Sequence, residues 1–94
     1  MSDILEREIE GHLVRRVLAI GGVIRKVKWI GRRGAPDRVV LFRGPVFVEL
    51  KRPGQDLDPH QYREHARLRR HGVCVRMLST FQEVDDFIGE LLAR

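Results

Sequence analysis

Asp37-Arg38-Val39-Val40-Leu41-Phe42-Arg43-Gly44-Pro45-Val46-Phe47-Val48-Glu49-Leu50-Lys51 reads as two β-strands joined by the tight turn Arg43-Gly44-Pro45. Both runs are rich in β-branched and aromatic residues, and the glycine and proline between them break the pattern. Asp37–Phe42 and Val46–Lys51 therefore form a hairpin. Side chains alternate along a strand, so Val46, Val48 and Leu50 share one face and Phe47, Glu49 and Lys51 the other. The second strand thus starts apolar on both faces and ends with an acid and a base on the same face. In a short hairpin the start of the first strand lies beside the end of the second. Asp37 is thereby expected next to Glu49 and Lys51.

Upstream, Asp3 to Ile20 reads as a helix, with Leu5, Ile9, Leu13, Val17 and Ile20 at helical spacing and Val14 and Leu18 widening the stripe. Ser2 or Asp3 can cap it, Asp3 with Glu6 resembles a capping box, and Gly21-Gly22 ends it. Val23 to Ile30 reads as a strand, and Gly31-Arg32-Arg33-Gly34-Ala35-Pro36 as a basic loop. Downstream, Arg52 to Pro59 is a loop. Asp58-Pro59 caps and starts a helix that runs to about His71 and stops at Gly72. Val73 to Leu78 is a fourth strand. Ser79 to Glu83 offers a capping box to a last helix, whose stripe is Val84, Phe87, Ile88, Leu91 and Leu92. The order helix-strand-strand-strand-helix-strand-helix predicts an α/β domain spanning residues 1–94, with a mixed four-stranded sheet flanked by helices.

Composition narrows the class. At 94 residues, with 43% hydrophobic and 33% charged residues, the chain is globular rather than disordered. No apolar run approaches the roughly 20 residues of a membrane span. The first residues carry acid where a signal peptide carries base, which places the protein in the cytoplasm, bacterial or that of a phage's host. A single cysteine excludes an internal disulfide, and no Cys/His cluster suits structural zinc. Cys74, between two valines, is expected as a buried strand residue. His60, His65 and His71 lie on a basic helix and are expected to be solvated. Trp29 and Tyr62 are too isolated for base stacking and are assigned to packing. Lys and Arg outnumber acids 18 to 13, a net charge of +5 that attracts polyanions.

The chemistry lies at Asp37, Glu49 and Lys51. Two carboxylates at one site repel unless a cation joins them. Mg2+ suits such a site, because it takes one or two carboxylates and completes its shell with waters and phosphate oxygens. Bound there it would polarise a scissile phosphate and lower the pKa of an attacking water. Lys51 would orient that water or stabilise charge in a phosphorane-like transition state.

Gly31-Arg32-Arg33-Gly34-Ala35-Pro36-Asp37-Arg38, then Phe47-Val48-Glu49-Leu50-Lys51-Arg52-Pro53-Gly54, then Gln61, with Glu10 on the first helix, resemble the PD-(D/E)XK nuclease superfamily. The closer resemblance is to its VRR-NUC family, in the short standalone form of phages and bacteria. It spans nearly the whole chain and implies a restriction-endonuclease-like core. It further implies that Asp37 and Glu49 are metal ligands, that the Leu50 carbonyl adds a third oxygen, and that Lys51 is the catalytic lysine. Glu10 and Glu6 both qualify as the acid that the first helix supplies, Glu10 being favoured by its distance from Gly21-Gly22. Gln61 matches a glutamine at the rim of the site. The resemblance also implies Mg2+, with Mn2+ as a substitute, and a homodimer acting on branched DNA such as four-way (Holliday) junctions.

Arg32, Arg33, Arg38, Arg52, Arg63 and Arg67 are the expected phosphate contacts, which position a duplex without reading its sequence. Rival readings are an exposed Glu49–Lys51 ion pair, a solvated arginine face, cleavage of flaps, nicks or duplex ends, and a non-catalytic DNA-binding module. The last explains the charge but not the paired acids. A winged-helix factor fits poorly, because three strands precede the basic helix.

Overall fold

The chain runs α1 (Glu6–Ala19), β1 (Val23–Lys26), β2 (Arg38–Leu41), β3 (Pro45–Leu50), α2 (Pro59–Arg70), β4 (Val75–Leu78) and α3 (Phe81–Leu92) in the computed structural model, which describes residues 3–94. The sheet order is β1-β2-β3-β4. β1 and β2 pair antiparallel, as do β2 and β3, with Arg38 opposite Val48. α2 carries the chain across to β4, which lies parallel to β3 with Glu49 opposite Met77. The mixed α/β sheet expected from the hairpin and the crossover is the one observed.

Alternation along β3 divides the molecule. Val46, Val48 and Leu50 enter a core with Ile9, Leu13 and Val17 of α1, Val40, Leu78, and Val84, Phe87, Ile88 and Leu91 of α3. Full burial of such side chains stabilises by about 1.5–3 kcal/mol each, so this face carries the stability of a small domain. On the other face Glu49 meets Gln61 and His65 of α2, whose buried residues are Glu64 and His65, and Phe47 packs against Trp29. α2 therefore docks through polar groups, and α1 and α3 through apolar ones. No helix among the described residues is long and apolar enough to cross a membrane.

Several expected boundaries move. α1 begins at Glu6, with Leu5 as N-cap and the Leu5 N–H donating to Glu8 Oε2 (2.6 Å). The cap expected at Asp3 is not used, and the alternative cap Ser2 lies outside the described residues. Leu18 and Leu92 are exposed, so the apolar stripes of α1 and α3 are narrower than expected. β1 stops at Lys26 rather than Ile30. Val27 N–H still reaches the Asp37 carbonyl (2.8 Å), but Trp29 then turns toward α2 and Ile30 is 98% exposed. β4 starts at Val75, because Val73 N–H closes the end of α2 on the Leu68 carbonyl (3.1 Å). Cys74 is accordingly half-buried at the margin of the core, not inside a strand. His60 is half-buried and His71 exposed, whereas His65 is wholly buried. Solvation of His65 is the clearest expectation that the structure overturns.

Gly34 ties the basic loop to α2. Its φ is +93°, and a Cβ there would lie 2.7 Å from the His60 carbonyl and 2.9 Å from Glu64 Cβ. Gly54 has a similar φ of +85° with open space around it. Gly34→Ala is expected to destabilise the fold by more than Gly54→Ala, which should cost only the roughly 1 kcal/mol of an alanine at positive φ. Chemical denaturation of the two variants checks this, and equal losses would contradict the close approach.

Candidate active site

The register of the β2–β3 hairpin assembles the site. Arg38 opposite Val48 leaves Asp37 beside Glu49 and Leu50, and Leu50 N–H donates to Asp37 Oδ2 (2.9 Å). The backbone of β3 thus fixes the first acid, and alternation along the same strand fixes the second. Glu49 is 2% exposed and Lys51 6%. Lys51 Nζ lies 3.8 Å from Glu49 Oε2. An exposed ion pair, the bland reading of these two residues, is therefore excluded by burial. Leu50 N–H is taken up by Asp37, so a cation would meet the main chain at the Leu50 carbonyl.

Glu49 is held in an unfavourable state. Burial, a hydrogen bond to Asp37 and the charge of Asp37 push its carboxyl up from 4.5 to about 8, and Lys51 offsets only part of this. Two carboxylates this close disfavour the charged form of Glu49, which a cation would relieve. Oε1 of Glu49 is buried with no hydrogen-bond partner. Among the described residues no three His, Cys, Asp or Glu side chains group closely enough to hold a metal alone. Two carboxylates and a main-chain carbonyl, completed by water and phosphate oxygens, would instead make a donor set that suits Mg2+.

Gln61 is oriented by its own helix. Its Oε1 accepts from Asp58 N–H at the start of α2 (2.9 Å), which turns Nε2 toward Glu49 Oε2 (3.3 Å). One side chain caps α2 and braces the acid. On α1, Glu10 is ion-paired with Arg38. Glu6, exposed on the same helix, adds its charge to those that raise Glu49 and also acts on Arg38. Burial lowers the Arg38 pKa, Glu6 and Glu49 opposing it, and Arg38 also donates to the Asp37 carbonyl (3.0 Å). Arg38 is thus turned into the site and engaged there.

The remaining arginines divide into two groups. Glu64, 5% exposed, accepts from Trp29 Nε1 (2.7 Å), Arg32 Nε (3.1 Å) and Arg67 Nη1 (2.5 Å). Burial pushes its carboxyl up, but these three donors outweigh burial and hold it below the usual range. Trp29 also packs edge-on against Phe47. This clamp binds the basic loop to α2. Arg33 and Arg63 make no hydrogen bond or ion pair among the described residues, and both line an open cleft of about 480 Å3 with Arg32, His60 and Arg67. Arg52 lines a second cleft of about 570 Å3 with Asp3, Leu5 and Gln55.

Sequence reading missed Glu64 and His65. Glu64 is the one acid in the run Arg63 to Arg70, and an acid amid arginines signals a clamp. His65 lies four residues after Gln61, which places both on one helical face.

An acid whose folded pKa exceeds its unfolded value stabilises the fold below the ordinary carboxylate range and loses that contribution as pH rises through the folded value. The cation-free protein should therefore lose stability between about pH 4.5 and 8, the window set by Glu49. Glu49→Gln removes the titration. In EDTA its melting temperature should fall less over this window than that of the wild type, and at pH 8 it should exceed the wild-type value by roughly 5 °C or more. Thermal melts across pH check this, and parallel curves would contradict it.

No family model matches the chain. "Putative nuclease p44" of Acyrthosiphon pisum secondary endosymbiont phage 1 is 51% identical to it over 82 residues, which cover 85% of this chain and 88% of that protein. A solved structure described as a VRR_NUC domain superposes with a TM-score of 0.82 at 41% identity, covering 89% of this chain and 94% of that one. Similarity of this extent in sequence and in fold, over a site that joins Asp37, Glu49 and Lys51, makes the chain a member of the VRR-NUC nuclease family.

Proposed function

We propose that the protein is a Mg2+-dependent DNA endonuclease, with Mn2+ able to substitute, and that Asp37, Glu49 and the Leu50 carbonyl hold the cation. The observation that carries this reading is the buried Glu49 carboxyl beside Asp37, itself fixed by Leu50 N–H, with one Glu49 oxygen unpartnered. Held there, a divalent ion would supply Lewis-acid polarisation of the scissile phosphate and would lower the pKa of a neighbouring water. The chain's own residues do the rest. Lys51, buried beside Glu49, offers an ammonium to the negative charge that builds on the phosphate or to the attacking water. Gln61 braces Oε2 of Glu49. Glu10 and Arg38, paired with each other, stand at the α1 side of the site, and Glu6 adds negative charge there.

Arg33 and Arg63, uncommitted and facing the cleft between the basic loop and α2, contact backbone phosphates away from the scissile one. Arg32 and Arg67 share the cleft while Glu64 holds one edge of each guanidinium. Arg52 serves the opposite cleft. Contacts of this kind follow backbone shape rather than sequence, which favours a structural substrate. The four-way junction is the substrate that we assign. A two-fold homodimer of so small a domain would bring two sites to its symmetric strands.

Cleavage, sedimentation and binding measurements check the reading. On a panel of four-way junctions, flaps, nicked, linear and single-stranded DNA with Mg2+, the wild type should cut the junction fastest. Lys51→Ala should cut it at least about 100-fold more slowly, with affinity in EDTA unchanged within about twofold. Cleavage that survives Lys51→Ala would contradict the catalytic assignment, and a preference for flaps or ends the junction assignment. Sedimentation equilibrium should return a dimer. Separately, Arg33→Ala with Arg63→Ala should reduce the slope of log affinity against log salt by about 2, one for each arginine withdrawn from a phosphate. An unchanged slope would remove that cleft from the DNA path.

A further inference from the structure

His65 is a titratable side chain on the polar face of the sheet for which the chemistry above has no use. It is 0% exposed, and its Nε2 stands 3.8 Å from Glu49 Oε1. Nε2 has no hydrogen-bond partner, and neither has Glu49 Oε1; the Gly34 backbone lies near enough to the ring to favour the protonated imidazole against burial, though short of full hydrogen-bond geometry. Each orphaned polar atom in a dry site costs about 1–3 kcal/mol, so an apolar side chain would fill this place at less expense. A histidine here needs a reason beyond packing. The neighbours supply one. Gln61, one turn earlier on α2, already braces Oε2 of the same carboxylate, and Lys51 faces that oxygen too. Oε1 is the oxygen left without a brace, and His65 is the group that faces it.

We propose that His65 is a positioning residue for Glu49, its Nε2 taking up Oε1 while Gln61 takes Oε2, so that the carboxylate plane is fixed when a divalent cation joins Glu49 to Asp37. A movement of about 1 Å brings Nε2 and Oε1 to hydrogen-bonding distance. α2 can supply it, because the helix is docked by polar contacts and not by a rigid apolar ridge. The inference rests on the metal-dependent reading above. Hydrogen bonds from outside the ligand set commonly change metal affinity 10–100-fold, which sets the size of the effect.

The test is calorimetric titration of the full-length protein with Mn2+, without DNA, on the wild type, H65Q, H65N and H65L. Glutamine places an amide nitrogen near the position of Nε2, and asparagine is too short to reach it. H65L should bind Mn2+ roughly 10–100-fold more weakly, H65N at least about tenfold more weakly and H65Q within about threefold of the wild type. DNA affinity in EDTA should stay within about twofold for all three. If H65L does not melt cooperatively, the comparison of H65Q with H65N decides. Wild-type affinity in H65L or H65N would overturn the positioning role and leave the nuclease reading intact. A wild type that takes up no Mn2+ would overturn the nuclease reading itself.

Discussion

Two carboxylates are held together in a place from which neither can retreat. Asp37 is pinned by the Leu50 N–H and Glu49 by its position on a central strand, so the hairpin register decides their separation and side-chain freedom cannot relieve it. The result is a carboxyl raised to about 8 and an oxygen without a partner. A fold that only had to be stable would place an apolar residue at either position. The surrounding polar architecture follows from this one constraint. Lys51 stands beside the pair, Gln61 is oriented by the cap of α2, and α2 meets the sheet with Glu64 and His65 where a leucine face would be usual.

The division of labour between the faces of the sheet explains how so short a chain tolerates this. α1 and α3 cover one face with an unbroken apolar core. The other face buries charge and depends on mutual satisfaction of polar groups. Glu64 shows the satisfied version: three donors meet its carboxylate, and the clamp joins the basic loop, Trp29 and α2 into one body. Glu49 shows the unsatisfied version, with one buried oxygen left open for the partner that we propose to be a cation.

Much of this was legible in the chain. The hairpin from Asp37 to Lys51 announced itself through Gly44-Pro45 between two runs of β-branched and aromatic residues, and the alternation of side chains along a strand placed Glu49 and Lys51 together. Register then placed Asp37. The docking of α2 was not legible, because Gln61, Glu64, His65 and the arginines between them look like a solvated surface in any reading built on apolar spacing. Burial there is enforced by tertiary partners far away in sequence: Trp29 and Arg32 for Glu64, and Glu49 for His65. Val27 to Ile30 failed as a strand for the same reason. Its β-branched and aromatic residues fit a strand, yet the bond from Trp29 to Glu64 pulls the chain off the sheet. The cap at Asp3 lost to Glu8, a choice between two nearby acids that local sequence leaves undecided.

The central claim is that the Asp37–Glu49 pair exists to hold a divalent ion. Diffraction from Mn2+-soaked crystals at the manganese absorption edge tests it most directly. The account predicts an anomalous peak about 2 Å from oxygens of both Asp37 and Glu49. A peak elsewhere, or none, would contradict it.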